Sequence, residues 1–272
     1  MGLRINTNVA ALNTARTLRA SSLDLGKSLE RLSSGLRINR AADDAAGLAI
    51  AEGFRSVVRG SQVAQRNGQD GISLVQTAEG ALSESTNILQ RMRELAVQAA
   101  NGTQSTNNRV ALDAEVQQLL QQIDDIALDT EFNGLHVLSS AQTLTLQTGA
   151  FTSQTLLINM SGAKTSDLGV STVTISSVAL AVSALSTIDN ALQSINSLRS
   201  TLGALQNRLE FTINTLAIQE ENSAASESAI RDADMAQETV RFTRNQILVS
   251  AGTSVLAQAN VIPQSALQLL GG

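Results

Sequence analysis

Cysteine is absent from the 272 residues, which removes disulfides, thiolate metal ligands and a cysteine nucleophile at once. Tryptophan and tyrosine are absent too, and only five phenylalanines occur. A globular core usually draws on aromatic bulk, each such side chain burying about 150–250 Å². Without it, the Ala- and Leu-rich hydrophobic share points to long helices packed closely side by side. A single proline stands in the chain, so little interrupts helical backbone. No apolar run reaches the roughly 18 residues of a membrane span, so no membrane partner is expected. The opening stretch, MGLRINTNVAALNTARTL, is punctuated by polar residues, and no cleavable secretory signal is expected. With a formal charge of −5 and no basic patch, nucleic acid is not an expected partner.

What remains is periodicity. Val9, Leu12, Leu18, Leu25, Leu29 and Leu32 recur at helical spacings near the start. The last 40 or so residues carry two stripes, one through Val240 and Ile247, the other through Leu248, Val255, Ala259 and Ile262. A helix with two stripes has more to bury than one partner helix covers. Residues 54–99 alternate without a break, a rod of roughly 65–70 Å at 1.5 Å per residue. Asn and Gly in NGTQSTNN (101–108) end it, and a second helix follows through Leu112, Val116, Leu119, Ile123 and Ile126. TEFNG (130–134) is a turn signal. Beyond it Leu144 and Leu146, then Leu156, Ile158 and Met160, alternate on either side of Gly149, which predicts a hairpin. Residues 161–180 read as loop with at most one short strand. From Leu185 to Leu216 large aliphatics recur over four heptads, as in coiled-coil packing. Short seams rarely hold alone, so the first and last helices are expected to pair antiparallel.

Little in the chain could do chemistry. His136 is the one histidine, and neither a nucleophile-elbow motif nor a phosphate loop accompanies it. Asp43 and Asp44 are adjacent, with only Glu52 nearby as a third carboxylate, too few oxygen ligands for calcium or magnesium. An ion pair from Arg40, three and four residues earlier, is the expectation for them. Asn101-Gly-Thr103 and Asn159-Met-Ser161 match the N-glycosylation triplet, a pattern common by chance. No catalytic residue, metal or cofactor is expected, and the chain is not read as an enzyme.

Several stretches closely resemble bacterial flagellin: LSSGLRINRAADDAAGLAI (32–50), NGQDGISLVQTAEGAL (67–82), LQRMRELAVQAAN (89–101) and TEFNG (130–134). So do LGALQNRLEFTINTL (202–216), AIRDADMAQE (229–238) and ILVSAGTSVLAQAN (247–260). The resemblance covers about 1–136 and 183–272 and leaves no room for outer variable domains.

That resemblance implies a mainly α fold: long antiparallel helices and coiled coils with a small β-hairpin, in a discontinuous two-domain rod. Residues 1–45 plus 230–272 would form the terminal coiled-coil domain of an inner filament tube. Residues 46–136 plus 183–229 would form the helical-rod domain of an outer tube, and 137–182 its hairpin and variable part. The implied function is a structural subunit of the extracellular flagellar filament, exported unfolded without a cleavable signal and polymerised at the distal tip for motility. Implied partners are other copies of the chain, an export chaperone, the filament cap, hook–filament junction proteins and the host Toll-like receptor for flagellin. The receptor site would be Arg91, Leu95 and Glu115, and the inflammasome-sensed C-terminus Leu267, Leu269 and Leu270. The opening motif would be the joint between the tubes, with Arg37, Arg40, Asp43 and Asp44 setting register by ion pairs. The alternative is a hook–filament junction protein of the same kind.

Overall fold

The structure, a computed structural model, describes the backbone of residues 7–270 and the side chains of residues 7–261. In chain order the elements are α1 (Val9–Ser34), α2 (Ala45–Ala100), α3 (Thr106–Asp129), β1 (Glu131–Phe132), β2 (Leu135–His136), β3 (Gln142–Gln147), β4 (Thr155–Met160), α4 (Val178–Arg231) and α5 (Met235–Leu270). The expected mainly α architecture with a small hairpin is what forms. The chain divides into two compact units, one holding residues up to Ser56 and from Asn222 on, the other Val57–Glu221. Both divisions fall inside unbroken helices, because the seams of α2 and α4 carry no Pro or capping signal at those points.

The unit from Val57 to Glu221 holds the large core. Leu82, Leu89, Met92 and Leu95 of α2 are fully buried, as are Ile123 of α3 and Ile188 and Ile195 of α4. Gly68 and Gly71 let other groups approach α2 closely, since an added Cβ would lie 2.9 Å from Ile213 and 2.7 Å from Leu146. One stretch of α4 is long and apolar enough to cross a membrane, but its Ala181, Ala184, Ile188, Ala191 and Ile195 face this core.

The β3–β4 pair is antiparallel, with Leu144 opposite Ile158 and Leu146 opposite Leu156. Leu156, Ile158 and Met160 are buried while Thr155, Leu157 and Asn159 face out, the two-residue alternation of a half-buried strand. The TEFNG turn closes a second, two-residue-stranded hairpin, β1 with β2. Asn133 and Gly134 both take positive φ, 51° and 76°, as a two-residue hairpin turn requires.

Residues 161–177 contain no strand among the described elements, yet Ala163, Thr165, Val170, Val173 and Ile175 are buried. Side chains of α3 satisfy this buried loop, as its polar backbone demands. Asp124 accepts hydrogen bonds from the Thr165 amide (2.8 Å) and hydroxyl (2.9 Å), Asp113 accepts from the Ile175 amide (2.6 Å), and Gln117 donates to the Val173 carbonyl (3.0 Å). Asp124→Ala is expected to lose about 1.5–3 kcal/mol of stability, the scale of hydrogen bonds to a charged group. Asp125→Ala, its exposed neighbour, should change little. Urea unfolding of both variants checks the contrast.

The other unit is built on α1 and α5, which run antiparallel: the Asn8 side-chain Nδ2 donates to the Ala259 carbonyl (2.7 Å), Leu18 packs against Gly252, and Arg31 lies 3.9 Å from Glu238. Asn8 also caps α1 by accepting from the Ala11 amide. Gly35 ends α1 in the left-handed conformation, φ 73°, the usual glycine stop.

Candidate functional site

Two links in the terminal unit run side by side, one joining α1 to α2 and one joining α4 to α5. The Arg37 amide donates to the Arg231 carbonyl (2.6 Å) and the Ala233 amide to the Gly35 carbonyl (2.9 Å), closing a short antiparallel bridge at Leu36 and Asp232. The Arg37 guanidinium donates to the Ile230 carbonyl, one of the unpaired carbonyls at the end of α4. Ile38, 2% exposed, anchors the link.

Asp43 and Asp44 do a different job from the one expected. Residues 37–44 are not helical, so the helical ion pair from Arg40 cannot form; Arg40 turns instead to Glu30, 2.9 Å away. Asp43 folds back and accepts from the Asn39 amide (3.3 Å) and the Arg40 amide (3.1 Å). Asp44 accepts from the Gly47 amide (2.8 Å) and so caps α2. A Cβ on Gly47 would lie 2.8 Å from the Asp44 Cγ and 2.9 Å from Ile38, so glycine makes room for the cap. The Arg40 amide first, then that of Asn39 and the charges of Arg31 and Lys27, hold the Asp43 carboxyl below its usual range against a smaller effect of burial. Arg231, absent from the sequence-based list, joins the same region by bonding Glu52 at 3.1 Å. Its partner lies 179 residues away, which no local pattern could show.

The helices on either side bury little between them. Val9, Leu12, Leu23 and Leu29 of α1 are exposed, and so are Val240, Ile247, Leu248 and Val255 of α5. Isolated exposed leucines need no explanation, but a row of large aliphatics on both partners of a two-helix pair leaves an apolar surface without cover.

In the larger unit, Arg91 donates to Glu115 through Nε (3.0 Å) and Nη2 (2.9 Å) and lies 3.1 Å from Glu94. These carboxylates, Glu115 before Glu94, keep the guanidinium even harder to deprotonate than a free one. Leu95 does not join them at the surface. At 1% exposure it points into the core, because it lies four residues after Arg91 but shares the buried stripe of Leu89, Met92 and Ala96. His136 is exposed, on β2. The side chains of Leu267, Leu269 and Leu270 lie outside the described residues. Among the described residues no three His, Cys, Asp or Glu side chains converge as a metal site.

The bacterial flagellin N-terminal helical region matches residues 5–143, and the bacterial flagellin C-terminal helical region matches residues 185–270. The chain belongs to the bacterial flagellin family. A flagellin of Halalkalibacterium halodurans is 47% identical over 269 residues, covering 98% of this chain and 99% of that one. A flagellin of Bacillus subtilis is 44% identical over 303 residues, covering 98% and 100%. The crystal structure of Bacillus cereus flagellin is similar at a TM-score of 0.48 and 34% identity, covering 56% of this chain and 88% of that one. As a flagellin-family member the chain is a structural subunit of the flagellar filament. Residues 144–184, which hold most of β3–β4 and the clasped loop, fall between the two family regions, and near-full coverage of its relatives marks it as a minimal form without an added variable domain.

Proposed function

We propose that this subunit is exported unfolded by the flagellar apparatus and polymerises at the distal tip, where neighbouring copies cover the apolar rows of α1 and α5. Residues 1–45 and 230–272 then form the inner tube, 46–136 and 183–229 the outer tube, and 137–182 the hairpin and variable part. The observation that carries this reading is the exposed aliphatic surface on both helices of the terminal unit. Cover by copies is expected because a repeated head-to-tail contact that does not close on itself generates a filament. Before export the same rows need a chaperone, and at the tip they need a cap; a junction assembly joins the filament to the hook.

Innate immune recognition belongs to the same reading. Arg91 and Glu115 offer a solvent-facing charged pair to the Toll-like receptor for flagellin, with Leu95 supporting them from below. Leu267, Leu269 and Leu270 are proposed as the segment the inflammasome senses.

Seeded polymerisation followed by electron microscopy tests assembly. The full chain should extend seeds into filaments, and a chain lacking 1–45 and 230–272 should stay monomeric while keeping its helical circular dichroism. Filaments from the truncated chain would overturn the assignment of the tube to the terminal helices.

A further inference from the structure

Three Asn-Gly pairs occur in the larger unit, at 67–68, 101–102 and 133–134, and the fold treats each differently. We propose that Asn101 is a site of spontaneous, structure-assisted deamidation, activated by Thr103 and Arg109.

The chemistry is an intramolecular displacement. The backbone nitrogen of Gly102 loses its proton to base and attacks Cγ of Asn101; the new N–Cγ bond closes a five-membered succinimide, the Cγ–Nδ2 bond breaks, and ammonia leaves with a proton from water. Water then opens the ring at either carbonyl, giving aspartate or isoaspartate. Glycine suits the attacking position because it has no side chain to obstruct closure. Three conditions speed the reaction: a free and acidified Gly102 amide, a polarised side-chain carbonyl, and room for the backbone to rotate.

The turn after α2 meets the first two. Asn101, Gly102 and Thr103 are exposed, and the Gly102 amide donates to no protein acceptor among the described residues. The Thr103 amide donates to Asn101 Oδ1 at 3.1 Å, on the oxygen where negative charge develops as nitrogen adds to Cγ, the arrangement that stabilises an oxyanion. The backbone carbonyl of Asn101 accepts from Arg109 Nη2 at 3.0 Å and from the Gln104 amide at 3.2 Å. That carbonyl belongs to the same peptide group as the Gly102 nitrogen, so a cation on its oxygen withdraws electrons and makes the N–H easier to remove. Arg109 is itself held in place by the Ala99 carbonyl, 2.9 Å from its Nε.

The other two pairs lack these conditions. Asn67 lies within α2, where the Gly68 amide is committed to the helix, and its Nδ2, the leaving group, donates to the Gln147 carbonyl at 3.0 Å. Asn133 holds φ 51°. In that left-handed conformation, with ψ near +47°, Cβ and the next nitrogen lie on opposite sides of the Cα–C bond, and closure needs them on the same side. Deamidation of Asn101 would put a carboxylate, or a lengthened isoaspartyl backbone, at the turn that Arg109 ties down.

The test is peptide mass spectrometry of the full-length monomer incubated at pH 8 and 37 °C, resolving aspartyl from isoaspartyl product at each asparagine. Asn101 should convert at least about tenfold faster than Asn67 or Asn133, with a rate that rises with pH. Arg109→Gln should slow Asn101 several-fold and leave the other two unchanged. In urea the difference between Asn101 and Asn133 should collapse, which keeps the claim testable if the variant folds poorly. Conversion at Asn133 or Asn67 as fast as at Asn101 in the folded chain would overturn the proposal, and so would a ranking that urea does not alter.

Discussion

Leu95→Ala should lower the stability of the larger unit by about 2–5 kcal/mol, the cost of truncating a fully buried leucine and leaving a cavity. For a unit of this size that corresponds to a fall in melting temperature of roughly 4–20 °C. Arg91→Ala should leave the melt almost unchanged, because its ion pairs are exposed and screened by salt. The two residues sit four positions apart on α2 yet face opposite environments: Leu95 is in contact with the core and Arg91 with water and Glu115. Receptor signalling should separate them further. Arg91→Ala should weaken signalling sharply in a fully folded protein, whereas loss in Leu95→Ala should follow its unfolded fraction. Undiminished signalling from Arg91→Ala would remove the charged pair from the receptor site. A Leu95→Ala protein that melts normally would contradict its place in the core.

Replacing Asp43 and Asp44 together by alanine is expected to give a folded, exportable chain whose filaments are impaired or misshapen. Asp44→Ala removes the cap of α2, a loss of about 1 kcal/mol, and frees the space that Gly47 keeps open. Asp43→Ala releases two backbone amides that fix the turn at 39 and 40. Together they let α2 leave the bridge at Leu36 in more than one direction, while the larger core is untouched. Acid should act in the same sense. The folded pKa of Asp43 lies below its unfolded value of about 3.9, so its contribution is full above that value and fades as pH falls through the folded one. The measurement is electron microscopy of filaments from the double variant beside Arg40→Ala, which should assemble normally because its pairing with Glu30 is exposed. Wild-type filaments from the double variant would show that the turn does not set the geometry.

The long helices were legible because their aliphatic residues repeat at helical spacing over many turns, and a missing Pro or Gly-rich break is itself a signal. The hairpin was legible from strict alternation through Leu156, Ile158 and Met160. That residues 161–177 form a loop was legible as well; that this loop is buried was not. Its burial is made possible by Asp113 and Asp124 accepting from backbone amides and Gln117 donating to a backbone carbonyl, 41 to 62 residues away, and no local period encodes such a contact. The same limit explains the joint. Two adjacent aspartates after an arginine suggested helical ion pairs, but the backbone there is a turn, and a carboxylate near free amides serves them before it serves a mobile arginine. Leu95 was not legible as core: the resemblance grouped it with Arg91 and Glu115, whereas it stands three residues after Met92 on the buried side of α2.

Hydrogen exchange of backbone amides, compared between monomer and filament, tests most directly whether the terminal unit is completed by its neighbours. Helices with little buried apolar contact open readily. In the monomer, residues 9–34 and 235–261 should exchange far faster than Leu89–Leu95 in the core, and in the filament they should become as protected as that core. Terminal helices already protected to the level of the core in the monomer, and unchanged on polymerisation, would contradict the account.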